Sequence, residues 1–140
     1  AKVLGVPMVI CDKERRKANE IASMTIIGDV NGMDVVLVDD LIDTAGTLSK
    51  AAKLIKDNGA RSVRAVCTHP VLSGKAYENI ENSVLEELIV CDTMPMVQTS
   101  PKIRVLSVAP LISKAIRNIH EHGSISSLFK LDNSFQHNLI

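Results

Sequence analysis

Tryptophan is absent from this 140-residue sequence, and one Tyr and two Phe are all the aromatic side chains it has. That removes the stacking platforms on which single-strand binders rest their bases. An excess of either charge is also missing: Lys plus Arg and Asp plus Glu stand at 16 each, so the summed field attracts neither a polyanion nor an anionic membrane. No nucleic-acid or membrane partner is expected. Cysteine is scarce, and Cys11, Cys67 and Cys91 are odd in number, widely spaced and free of any CxxC pair for zinc or redox chemistry. Such usage fits a reducing cytoplasm. Apolar runs are all broken by Asp or Gly far short of a bilayer's span, and the first residues lack the apolar core of a signal peptide. A cytoplasmic location is therefore expected. Repeats and low-complexity tracts are absent as well. What the chain does have is 46% hydrophobic residues, enough for one ordinary domain to bury a core without disulfide or metal staples.

Val6 to Cys11 is apolar and partly β-branched, which predicts a buried strand opening into a loop at Asp12 to Asn19. Met24 to Gly28 and Met33 to Val38 are two further apolar runs. Between them Asn31-Gly32 supplies the positive φ of a tight turn, so an antiparallel pair is expected there. From Ala45 to Asp57 the apolar positions fall at helical spacing (Leu48, Ala51, Ala52, Leu54, Ile55) and stop at Asn58-Gly59. Strands are predicted at Val63 to Thr68, Leu85 to Cys91 and Ile103 to Val108, with helices at Lys75 to Asn82 and Leu111 to His122. The alternation of strand and helix predicts an α/β fold, a mainly parallel twisted sheet with helices on both faces. Met94 to Lys102, with Pro95 and Pro101, reads as a loop, and residues 131–140 as a frayed tail behind a domain of residues 1–130. Ser124 to Phe129 alternates and predicts a small edge strand with Leu128 and Phe129 turned inward.

The chemistry concentrates in Val35-Val36-Leu37-Val38-Asp39-Asp40-Leu41-Ile42-Asp43-Thr44-Ala45-Gly46-Thr47. Four apolar strand residues deliver two adjacent carboxylates to the carboxyl edge of the sheet, where open α/β folds place ligands. Asp43 to Thr47 then opens a helix, so backbone amides and two hydroxyls gather at the positive end of its dipole. Small Ala45 and Gly46 let an anion approach, while Asp39 and Asp40 can accept hydrogen bonds from vicinal hydroxyls. Carboxylates for hydroxyls and amides for phosphate describe a sugar-phosphate site. The blander alternative is a helix capped by Thr44 or Asp43, with Asp39 and Asp40 merely solvated. A Walker B reading fails for want of any Gly-x-x-x-x-Gly-Lys-[Ser/Thr] loop.

Val35 to Thr47 resembles the phosphoribosyl diphosphate signature of the type I phosphoribosyltransferase fold. Asp12-Lys13-Glu14-Arg15, Ile26-Ile27-Gly28-Asp29-Val30 and Cys67-Thr68-His69-Pro70-Val71-Leu72-Ser73-Gly74 narrow the resemblance to the ribose-phosphate diphosphokinase family, over about residues 1–130. The resemblance implies transfer of the diphosphoryl group of ATP to ribose 5-phosphate with Mg2+, in an enzyme that is a homo-oligomer. It assigns Lys13 and Arg15 as catalytic cations on a loop, with Arg15, Asp39, Asp40, Asp43, Thr44, Ala45, Gly46 and Thr47 binding substrate. It further implies a regulatory anion site at Ser124 and Ser126. Glu14 stands where the family pattern often has a third basic residue, and no metal ligand is assigned within this chain. The adenine pocket and a metal-binding His belong to a further, N-terminal domain of the family, so this chain is expected to be the inactive ribose 5-phosphate half. Two rivals share parts of the pattern, a nucleobase phosphoribosyltransferase and a non-catalytic regulatory paralogue. His69, Ser73 and Gly74 are explained by capping and turn formation, and His120 and His122 by the helix dipole.

Overall fold

The structure, a computed structural model, describes residues 4–14 and 23–129. The chain divides into two compact units, residues 8–106 and, among the described residues, 4–7 with 107–129. In the larger unit the order is β1 (Ile10–Glu14), β2 (Ser23–Ile27), β3 (Asp34–Ile42), α1 (Gly46–Asp57), β4 (Ser62–Pro70), α2 (Ala76–Glu81), β5 (Glu87–Cys91) and β6 (Ile103–Leu106). Strands β3-β4-β5-β6 form one parallel sheet in that order, and β1 pairs with β2 in a separate antiparallel hairpin. The parallel sheet with helices and the N-terminal hairpin match the predicted class, and outside β1 and the end of β3 the boundaries fall within about two residues of expectation.

Burial explains why these segments hold. Leu48, Ala52 and Ile55 recur on one side of α1 and pack, with Tyr77 and Ile80 of α2, against Val63, Ala65 and Cys67 of β4 and Leu88 and Val90 of β5. Ile55, Ile80, Leu85 and Leu88 are fully buried. Each such side chain contributes roughly 1.5–3 kcal/mol of apolar transfer. The hairpin joins this core through Val9, Cys11 and Ile26. On the sheet face away from α1 and α2, Val36 and Val38 of β3 are exposed within a strand that is apolar on both faces.

Three expectations need correction. Met24 to Gly28 does not pair with Met33 to Val38, because the Asn-Gly turn carries the chain from one sheet to the other. Val30 is buried within that turn, Gly32 N–H donates to Gly59 O at 2.8 Å, and Arg61 N–H donates to Met33 O at 2.8 Å. These bonds tie the turn to the end of α1. Gly59 sits at φ +93°, where an added Cβ would collide with the Asn31 side chain, so only glycine suits the close approach. Second, β1 starts only at Ile10 and continues through Asp12, Lys13 and Glu14, which the sequence reading gave to a loop. Cross-strand pairing with Met24 and Ser23 overrides the polar composition there.

Third, in the smaller unit, Ile125–Phe129 forms a 3-10 helix rather than an edge strand, and Phe129 is 83% exposed rather than turned inward. The local bond from Ser127 Oγ to Ser124 O at 2.7 Å favours a tight turn over extension. Helix α3 (Ala109–His120) precedes it, opened by Pro110 and presenting Leu111, Ile112, Ile116 and Ile119 as exposed apolar positions.

The amino ends of β3 and β4 are joined by an ion pair. Arg61 Nε donates to Asp34 Oδ1 at 3.0 Å, Arg61 Nη2 pairs with Asp34 Oδ2, and Ser62 Oγ donates to Asp34 Oδ1 at 2.6 Å. The Arg61 and Ser62 hydrogen bonds hold the Asp34 carboxyl down at about 2. A carboxyl depressed on folding stabilises the fold above its ordinary value near ~3.9 and loses that contribution as pH falls through the folded value. Urea midpoints should therefore show Asp34→Asn less stable than the unsubstituted chain above pH ~5, with the gap closing towards pH ~2. An unchanging gap across that window would contradict the assignment.

Candidate functional site

The Asp-rich segment lies at the carboxyl edge, as its sequence predicts, but with a different local form. Strand β3 does not end before the acids; it runs through Asp39 and Asp40 to Ile42, and both acids are exposed. Asp39 Oδ1 accepts the Asp40 N–H at 3.0 Å. Buried Ile42 then anchors the chain, and the backbone bends over Asp43, Thr44 and Ala45. Ala45 adopts the left-handed conformation (φ 57°, ψ 7°) as the residue preceding α1, and no side chain caps the helix. Neither Thr44 nor Asp43 serves as the cap that the bland reading requires.

A left-handed alanine and a missing cap each cost about 1 kcal/mol, so this helix start is not arranged for its own stability. Three consecutive carbonyls of the bend are held from the segment after β4. Leu72 N–H donates to Ile42 O at 3.1 Å, Ser73 N–H to Asp43 O at 3.2 Å, and Asn79 Nδ2 to Thr44 O at 2.8 Å. In a trans peptide the N–H points opposite to the carbonyl, so the N–H groups of Asp43, Thr44 and Ala45 face the other way. Among the described residues, no acceptor is bonded to the N–H groups of Thr44, Ala45 or Gly46. Successive amides in such a bend, followed by a helix start, form a concavity suited to an anion.

Beneath the acids lies Cys67, whose thiol hydrogen-bonds at 3.5 Å to the carbonyls of Asp40 and His69. Burial pushes this thiol up, and the Asp39 and Asp40 charges add to the effect, so it is a neutral packing group and not a nucleophile. Further along, Thr93 Oγ1 spends its hydrogen on Thr68 O at 2.8 Å and so accepts from His69 Nδ1 at 3.0 Å. His69 thus carries its proton on Nδ1. An open concavity of about 490 Å3 along this edge is lined by Asp92, Thr93, Met94, Pro95, Met96 and Val105.

Residues 3–130 match the family model described as the phosphoribosyl synthetase-associated domain. The chain belongs to that family. It is 56% identical to the ribose-phosphate pyrophosphokinase of Campylobacter jejuni over 129 residues, 92% of this chain and 42% of the relative. With the ribose-phosphate pyrophosphokinase of Helicobacter pylori strain 26695 it shares 50% identity over 129 residues, 92% of this chain and 41% of the relative. In three dimensions it resembles the phosphoribosylpyrophosphate synthetase of Mycobacterium smegmatis, with a TM-score of 0.76 and 37% identity, covering 85% of this chain and 38% of that one. The chain therefore spans about two fifths of the length of these relatives.

In this phosphoribosyl synthetase-associated domain the predicted site residues are distributed unevenly. Asp39 and Asp40 near the end of β3, Asp43 to Ala45 in the bend and Gly46 and Thr47 at the start of α1 follow one another at the sheet edge. Lys13 lies in β1 opposite Met24, and Arg15 lies outside the described residues. Ser124 and Ser126 are exposed in the other unit, where Ser124 O accepts from Asn118 Nδ2 at 3.0 Å. Ser73 and Asn79 are what the sequence does not single out: Ser73 reads as a turn residue and Asn79 only as part of the helix Lys75 to Asn82. Their link to a bend some 30 residues upstream exists only in the folded chain.

Gly46 provides a test of whether the bend is built for a ligand. A Cβ there would meet only Thr44 Oγ1, at 3.8 Å, an ordinary contact, and the fold itself tolerates a side chain. Gly46→Ala should leave the chain's stability within about 1 kcal/mol of the parent, in either direction, when thermal unfolding is followed by circular dichroism. A loss above about 3 kcal/mol would show that this glycine serves the fold instead.

Proposed function

We propose that the protein containing this chain is a ribose-phosphate diphosphokinase, and that the chain is its ribose 5-phosphate-binding half. The observation that carries the reading is the bend itself, where outward amides and an uncapped helix start stand beside two exposed carboxylates. Asp39 and Asp40 accept hydrogen bonds from the vicinal ribose hydroxyls. The amides of Thr44 to Thr47, with the threonine hydroxyls, hold the 5-phosphate, and Gly46 leaves room for its approach.

In the reaction the anomeric oxygen attacks the β-phosphorus of ATP, the bond from that phosphorus to the α–β bridging oxygen breaks, and AMP leaves. The products are 5-phosphoribosyl 1-diphosphate and AMP, and the hydroxyl proton passes to solvent. Lys13 and Arg15 place positive charge on the transferring group, which is most of the help such a transfer needs from protein side chains. Bound with the nucleotide, Mg2+ would neutralise phosphate charge. Among the described residues no three carboxylate, imidazole or thiol groups converge on a metal site. The adenine pocket falls to the remainder of the protein, which leaves the 140-residue chain catalytically silent alone. The whole enzyme is read as a cytoplasmic homo-oligomer, with Ser124 and Ser126 at a regulatory anion site.

AMP release from ATP plus ribose 5-phosphate by the whole protein tests this. Neither a nucleobase phosphoribosyltransferase nor a non-catalytic paralogue would release it. In that assay Lys13→Ala and Arg15→Ala should each lower kcat roughly 100-fold, about 3 kcal/mol of lost charge stabilisation, with little change in KM for ribose 5-phosphate. Arg15→Lys should recover only part of the loss, because a point charge lacks the guanidinium's two-pronged grip. Normal turnover by both alanine variants would remove the two residues from the mechanism.

A further inference from the structure

The bend contains its own competitor. An Asp side chain readily accepts a hydrogen bond from the backbone N–H two residues on, and for Asp43 that N–H belongs to Ala45. A carboxylate is also a preferred partner for the free amides of a helix start. Left to local preference, Asp43 would fold back over the amides assigned to the phosphate. It does not do so, because its Oδ1 accepts the hydroxyl of Ser73 instead. Ser73 stands on the segment whose backbone also holds the carbonyls of Ile42 and Asp43.

We infer that Ser73 is a positioning residue that draws the Asp43 carboxylate away from the Ala45 and Gly46 amides, and that Asn79 locks the next peptide so that these amides stay open to a phosphate. Three independent features support this assignment. Asn79 donates to Thr44 O at 2.8 Å, and its own carbonyl accepts Ser49 Oγ of α1 at 3.1 Å, so one residue ties the peptide before Ala45 to the helix after it. Leu72, immediately before Ser73, is 3% exposed and left-handed at φ 47°, and Ala45 at the other end of the bend is left-handed as well. Backbone conformations of this kind are costly and persist only where the surroundings impose them. Both strained residues therefore flank one clamp. Finally, the Ser73 side chain is exposed, so a hydroxyl bonded to a carboxylate at the surface adds little to the core.

The assignment rests on the reading of the bend as a phosphate site, and its test separates the two. Calorimetric titration of the 140-residue chain with ribose 5-phosphate and with inorganic phosphate gives the reference affinities. Ser73→Ala should weaken both ligands roughly tenfold, while Ser73→Thr, which keeps the hydroxyl, should bind within about twofold of the parent. Asn79→Ala should likewise weaken both. The decisive arm is the coupling: in an Asp43→Ala background, Ser73→Ala should cost less than about twofold, because no competing carboxylate remains to be restrained. A purely structural serine would lose the same affinity in either background, and that result overturns the inference. Unchanged affinity in Ser73→Ala overturns it too, while leaving the phosphate reading intact. Should Ser73→Ala melt well below the parent, the comparison of Ser73→Thr with Ser73→Val in the same two backgrounds decides the matter. Absence of any sugar-phosphate binding by the unsubstituted chain would defeat both readings together.

Discussion

Everything at the carboxyl edge depends on the orientation of three peptide planes. The carbonyls of Ile42, Asp43 and Thr44 are bonded towards the segment running from Leu72 to Asn79, which turns the amides that follow them outward. Without those bonds the bend would relax into an ordinary capped helix start, with Asp43 or Thr44 satisfying the amides themselves. The parallel sheet makes the arrangement possible: β3 and β4 run side by side with Leu41 opposite His69, so their two exits lie next to each other. A parallel neighbour thus supplies the clamp for its partner's loop. This is the physical content of the rule that open α/β sheets bind ligands at their carboxyl edge.

The core explains why that edge can sustain strain. Ile42, Ala45 and Leu72 belong to the same buried cluster as Ile55, Ile80 and Leu88. Burial of this kind fixes both chain exits against a rigid base, and the left-handed Ala45 and Leu72 are themselves part of it. The Asp34–Arg61 pair at the opposite end has no such role and serves to register the starts of β3 and β4. One end of the sheet is tuned for stability and the other departs from it.

Much of this was legible in the sequence, and the parts that were not share a cause. The helical spacing of Leu48, Ala51, Ala52 and Ile55 placed α1, and the apolar run before Asp39 placed β3, because periodicity reports burial directly. The composition of Asp43 to Thr47 also raises the expectation of a phosphate site. Pairing partners were misread where a local signal met a tertiary one. Asn31-Gly32 is a strong hairpin signal, yet buried Val30 and the contact with Gly59 turn it into a crossing between sheets. The strand continuing through Asp39 and Asp40 was hidden by their charge, since polar residues on an exposed strand end look like loop. Ser73 and Asn79 carried no signal at all, because their partners are distant in sequence and one hydroxyl or amide resembles another.

The most direct test of the account is an amide-resolved NMR titration of the chain with ribose 5-phosphate, with plain ribose as the control. The account predicts that the amide signals of Thr44, Ala45, Gly46 and Thr47 shift with ribose 5-phosphate and stay in place with ribose, since the outward amides are the phosphate's partners. An equal response to ribose, or shifts confined to other parts of the chain, would contradict it.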